Sequence, residues 1–144
     1  MVYFKWVGTL GWVLGAFQVT AGWAASRPDQ TVCLTMMSAS HSMAFAATVL
    51  QDKKERTPAS EKRSPEACQK DAEKVTDLAL DFSKIPGPCQ NMMVTDIKKE
   101  NRKLLRKMAS LPSGQVANPM KNETLAAYTS RLMKARYWEQ CVGK

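Results

Sequence analysis

Four cysteines, Cys33, Cys68, Cys89 and Cys141, and one histidine, His41, carry the most distinctive chemistry of this 144-residue chain. Thiolates in CxxC spacing, helped by histidines, would hold zinc. Here the cysteine intervals are long and a single histidine cannot complete a tetrahedral set, so no metal site and no cofactor is expected. The run "SASHSM" puts serines beside His41. On a helix, however, Ser38 and Ser42 supply neither the strained elbow that exposes a nucleophile nor a third partner that orients an imidazole. His41 therefore reads as a partly exposed histidine among small polar residues. Asp71, Glu73, Asp77 and Asp81 fall on the polar side of one helical segment, where solvated carboxylates belong. A phosphate-cradling loop needs clustered glycines, and after residue 24 only the isolated Gly87, Gly114 and Gly143 remain. No catalytic residue is assigned, and the chain is expected not to be an enzyme.

Paired thiols then become the natural reading, and the compartment agrees. The opening residues "MVYFKWVGTLGWVLGAFQVTAGWAAS" have one early cation, Lys5, an apolar run from Val7 to Phe17, and small residues Gly22 and Ala24 before a cut. This is the layout of a secretory signal peptide, residues 1–24, cleaved after Ala24. The apolar run is well short of the roughly twenty residues that span a bilayer, which argues against a retained anchor. An even number of cysteines in an exported chain implies two disulfides. Residues 25–144 are the size of one domain, and its core must come from Met, Leu, Ala and Val with few aromatics, so covalent restraint is valuable.

Four segments show helical periodicity between turn signals, and no alternating β-branched run competes with them. The first, residues 30–51, has Asp29 as cap and a stripe of Cys33, Met36, Ser40, Met43, Ala47 and Leu50. The charged stretch "DKKERTPASEKRS" follows as a solvated connector. Ser64, Pro65 and Glu66 open a second helix with a cap, a first-turn proline and an acid near the dipole, and "KIPGP" closes it. The third runs from Cys89 to Ala109. Asn118 and Pro119 announce a fourth, carried by Leu125, Tyr128, Leu132, Ala135 and Trp138 and ending near Cys141. The expected fold is all-α, a small four-helix bundle.

Helices of this length span roughly 30 Å, and bridged cysteines need Cα atoms within about 7 Å. Cys33, Cys68 and Cys89 lie near helix starts and Cys141 at a helix end. If the charged connector crosses back along helix one, helices one and two become parallel, Cys33 meets Cys68, and Cys89 meets Cys141. Those are the pairings the reach limits favour, each stabilising by up to about 4 kcal/mol.

The surface offers one distinctive feature. In "DIKKENRKLLRKM" a helical projection groups Lys98, Lys99, Arg102, Lys103, Arg106 and Lys107 on one half, opposite Ile97, Leu104, Leu105 and Met108. The formal net charge is +8, less one once Lys5 leaves with the signal. Tyr137 and Trp138 in "ARYWEQC" are of the type that anchors interfaces. Bound nucleic acid is not expected, since the chain is exported and no aromatic interleaves the basic residues. Membrane contact is expected only during export. An acidic protein partner, steered by charge, is expected instead.

In format the chain resembles small exported helical proteins that bacteria keep in the periplasm as inhibitors or immunity proteins against cell-wall-attacking toxins. The resemblance implies a binding role and transfers no residue. The leading expectation is an inhibitor or immunity protein in the periplasm. One alternative is an accessory or structural component of an envelope or secretion machine, docked on an anionic surface. A second is a secreted cytokine-like helical ligand, for which the Asn122-Glu123-Thr124 triplet would be a glycan acceptor in a eukaryotic host.

Overall fold

A cap residue opens each long helix. The computed structural model describes residues 27–55 and 63–143, so the signal peptide expected at residues 1–24 and residues 56–62 of the charged connector lie outside it. Asp29 Oδ1 accepts the N–H groups of Thr31 at 2.8 Å and Val32 at 3.2 Å, opening α1, Gln30–Glu55. Ser64 accepts from Ala67 N–H at 3.2 Å, with Pro65 in the first turn, opening α2, Pro65–Ala79. Thr124 accepts from Ala127 N–H at 3.2 Å, opening α5, Leu125–Val142. Side-chain oxygens here satisfy donors that a helix start leaves orphaned.

The third helix is not continuous. Instead of one rod from Cys89 to Ala109 there is a single turn, α3 (Gly87–Gln90), then 3₁₀ turns at Val94–Asp96 and Lys99–Asn101, then α4 (Arg102–Ala109). Tertiary hydrogen bonds take the backbone away from the helix. Val94 N–H donates to Glu123 O at 2.9 Å, and Leu125 N–H donates to Met92 O at 2.8 Å, around an isolated antiparallel bridge between Met93 and Thr124. From α1, the Gln30 amide donates to Asp96 O at 3.0 Å and accepts from Lys98 N–H at 2.9 Å. The Asn118–Pro119 helix start is likewise corrected. That stretch is loop, and Asn122 sits at φ 58°, the left-handed region a helix cannot continue through.

This break decides the topology. An eight-residue α4 is only about 12 Å long, and after it a tight turn reverses the chain. Leu111 N–H donates to Gln115 O at 2.8 Å, Gly114 takes φ 79° at the turn, and Ala117 N–H returns to Ala109 O at 3.2 Å. The chain thus comes back to the end it left, and α5 starts beside the start of α1. Cys33, Leu34 and Met37 share a core cluster with Leu125, Tyr128 and Leu132; farther along, Ala44 meets Met133. The two helices run parallel, with α2 antiparallel against both, since Leu80 at its end meets Ala44 and Met133.

The disulfides follow the same logic and overturn the expected pairing. Cys33 is bonded to Cys89, not Cys68, with Cα atoms 5.2 Å apart, and Cys68 to Cys141, not Cys89, at 5.8 Å. The expectation required helix three to traverse the bundle and helices one and two to be parallel. Because α4 turns back, the end of α5 reaches the opposite pole, where the start of α2 lies. The fold is all-α with two disulfides as expected, but three long helices and two short ones replace the four rods.

Non-reducing peptide mapping should therefore join residue 33 to 89 and residue 68 to 141. Replacing both Cys68 and Cys141 with Ala should cost about 2–5 kcal/mol in chemical denaturation. It should do so mainly by freeing the pole where Ala72, Tyr137 and Phe45 pack on that bridge.

Candidate functional site

The broken third segment leaves a groove where a rod would have been. Its floor is Val94, Ile97, Leu105, Ala109 and Tyr128, its far wall is the returning stretch from Val116 to Pro119, and its volume is about 400 Å³. That size falls within the range of ligand clefts. Arg102 and Arg106, one helical turn apart on α4, stand at its rim.

The wall is held by a dense set of bonds from α5. Tyr128 Oη donates to Ala117 O at 2.7 Å. Arg131 reaches Glu123 through Nε to Oε1 at 2.8 Å and Nη2 to Oε2 at 2.9 Å, and also donates to Asn118 O at 2.8 Å. Glu123 Oε2 in turn accepts Met120 N–H at 2.9 Å, while the guanidinium lies 5.3 Å from the Tyr128 ring centroid. Burial pushes the Tyr128 phenol up to about 12, so it remains a donor, and the Arg131 bonds hold the Glu123 carboxyl below its usual range. A paired, charge-assisted fork of this kind fixes geometry more firmly than neutral contacts.

All six expected cations are exposed. They do not share one helix as the projection assumed: Lys98 and Lys99 sit in the turns before α4, and Arg102, Lys103, Arg106 and Lys107 on it. Among the described residues none of the six forms an ion pair; the pairs seen are Arg63–Asp71, Lys84–Asp81 and Arg131–Glu123. Leu105, Met108 and Ala109 hold the opposite side of α4 in the core. At the end of α4, Arg136 Nη2 donates to the carbonyls of Met108 at 3.2 Å and Ser110 at 2.6 Å, closing the helix from α5.

No protein-family model, curated protein or solved structure matches this chain. Its chemistry must be judged from its own residues.

The aromatic pair separates. Tyr137 is buried beside the Cys68–Cys141 bridge, its hydroxyl 3.4 Å from Asp52 Oδ1, and so belongs to the core rather than to a contact surface. Trp138 is 37% exposed, at the edge of an open groove with Pro112, Ser113 and Glu139. His41 is 2% exposed, not partly open, and no hydrogen bond joins it to Ser38 or to the exposed Ser42. Its Nε2 is buried without a partner, and desolvation, with the nearby Arg136 charge, lowers its pKa from 6.5 to about 4. Alternation of serines around His41 suggested exposure; only the tertiary placement of α1 against α5 reveals burial. Among the described residues no group of three or more His, Cys, Asp or Glu could hold a metal.

The fold accommodates the neutral imidazole. Unfolded chains take up this proton below about pH 6.5, folded ones only near 4. This contribution is complete above pH 6.5, is lost progressively down to about pH 4, and levels off below, amounting to about 3 kcal/mol in all. Replacing His41 with Met should remove that slope from the denaturant midpoint between pH 6.5 and 4, leaving only the carboxylate contribution at lower pH.

Proposed function

We propose that the protein is an exported, non-enzymatic binding protein that holds an acidic protein partner on its α4 face, as a periplasmic inhibitor or immunity protein would. The observation that carries this reading is six exposed cations without acid partners among the described residues, beside a braced apolar groove. Unpaired charge steers an oppositely charged partner and sets its orientation. The apolar floor supplies what charge alone does not, a place to desolvate an anchoring side chain. Arg102 and Arg106 at its rim suit a carboxylate carried next to a bulky apolar residue, since a guanidinium can clamp a carboxylate with two bonds.

Rigidity supports the same role. Two disulfides and the Tyr128–Arg131–Glu123 brace mean that little of the contact surface must be ordered on binding, which lowers the cost of association. The closed disulfides and the apolar leader read in the sequence are those of a secreted or exported chain. The periplasm is the compartment in which such an inhibitor would meet cell-wall hydrolases.

Capture from the native extracytoplasmic fraction should recover an acidic protein. Recovery should fall at least about tenfold in the triple variant K99E/R102E/R106E. V116W, which narrows the groove without changing charge, should weaken the complex while leaving its salt dependence intact. A partner bound equally well by the triple variant overturns the assignment. So does retention on anionic lipid or envelope polymer with no protein recovered.

A further inference from the structure

The outer face of α1 has a pattern that the core does not use. Of the stripe expected to face inward, Met43 is 68% and Leu50 63% exposed, and Val32 beside it is 54% exposed, while Cys33, Leu34, Met37, His41, Ala44 and Thr48 are buried. Ala39 and Ala46 are exposed between them, and Met36 is half-buried. The series Val32, Met36, Ala39, Met43, Ala46, Leu50 steps by four and three in alternation, the spacing of a coiled-coil seam. No Lys, Arg, Asp or Glu occurs from residue 30 to 51, in a chain that is 24% charged. A helix that is apolar on both sides ordinarily has both sides covered.

Three occupants can be weighed. Helices that lie in a lipid interface line their polar flank with Lys and Arg and insert large aromatics; here Thr35 and Ser42 flank the seam, and Phe45 is packed inward on the Cys68–Cys141 cluster. By length and composition Gln30–Asp52 could cross a membrane, but its inner face is committed to the core and Cys33 is tied to Cys89. A charged partner finds no complementary charge on this face. A second copy of the chain does find complementarity, of shape. Set antiparallel about His41, two seams bring Met36 level with Ala46, Ala39 with Met43, and Val32 with Leu50. In the four inner layers one long side chain faces one short one, which lets the helices approach closely and is self-complementary across a two-fold axis. An uncharged face is also where two strongly basic chains meet with least repulsion.

We infer that the outer seam of α1 pairs with the same seam of a second copy, forming an antiparallel two-helix dimer. The seam is about 27 Å long, short of a standard interface, so the dimer is weak and reversible. It rests on observations independent of the α4 face.

Sedimentation equilibrium of the disulfide-bonded protein from its native source, between about 1 and 300 µM, should show the mass rising toward the dimer value, as suits a seam of this size. Met43→Lys or Ala39→Glu alone should raise the dissociation constant at least about tenfold. Circular dichroism should be unchanged, because both positions are exposed. The double variant A39E/M43K sets opposite charges level with each other only in the antiparallel register, and should recover most of the lost association. A protein that stays monomeric throughout the range overturns the inference. So does a double variant no better than the singles, or binding to phosphatidylcholine vesicles in place of self-association.

Discussion

Two backbone hydrogen bonds, Val94 to Glu123 and Leu125 to Met92, hold the rest of this structure in place. They pair residues 92–94 with residues 123–125 in an extended bridge exactly where local pattern would continue a helix, so the chain cannot cross the molecule between Cys89 and Thr124. Everything between those points must leave one pole and return to it, which α4 and the Gly114 turn accomplish. The direction of α5 is then settled, and with it the identity of the thiols that meet. Had the third segment been a full rod, α5 would have run the other way and Cys141 would have ended beside Cys89.

The same interruption makes the candidate binding surface. A continuous helix would have filled the space now bounded by Ile97, Leu105 and the stretch from Val116 to Pro119. Its replacement by short turns opens a groove. The backbone freed by the break is bonded by Gln30 from α1, while the returning stretch at residues 117–118 is bonded by Tyr128 and Arg131 from α5. Side chains of α5 thus satisfy the backbone of the groove wall, which is why the wall needs no regular secondary structure to be held.

Much of the fold was legible in local signals. Asp29, Ser64 and Pro65 act over a few residues, and the helices they open start where expected. The end of α2 does not follow, since it stops at Ala79 with a 3₁₀ turn at Phe82–Lys84 before the proline-glycine pair, which instead opens the single turn of α3. What sequence could not supply were interactions between residues far apart. Gln30 bonding to Asp96 and Lys98, or Met93 bridging Thr124, leave no periodic trace. The disulfide pairing failed for that reason: the reach argument was sound, but its input was a rod that tertiary hydrogen bonds had broken. Of the candidate site, all six cations are exposed, whereas Tyr137 proved to be core, because adjacent aromatics on a helix look alike until a neighbouring bridge claims one of them. The groove itself could not be foreseen, since its walls come from three separated stretches.

α1 shows how periodicity can be right and its meaning reversed. Met36, Met43 and Leu50 recur as an amphipathic helix requires, yet of the expected stripe only Cys33 is in the core, where Leu34, Met37 and Ala44 pack beside it. A helix with two apolar faces gives no sequence signal for which is inner; here the choice falls to the Cys33–Cys89 bond and to the line of α5. The outcome is a molecule whose charge and whose unused apolar surface are segregated, cations around α4 and no charged residue from 30 to 51 on α1. Salt separates these two surfaces physically. Screening weakens attraction at exposed cations within a Debye length, whereas contact between uncharged apolar strips is left intact or strengthened as ions that are excluded from protein surface are added. A partner held at α4 and a second chain packed on α1 would therefore answer to ionic strength in opposite senses, because one surface would work through charge and the other through its exclusion.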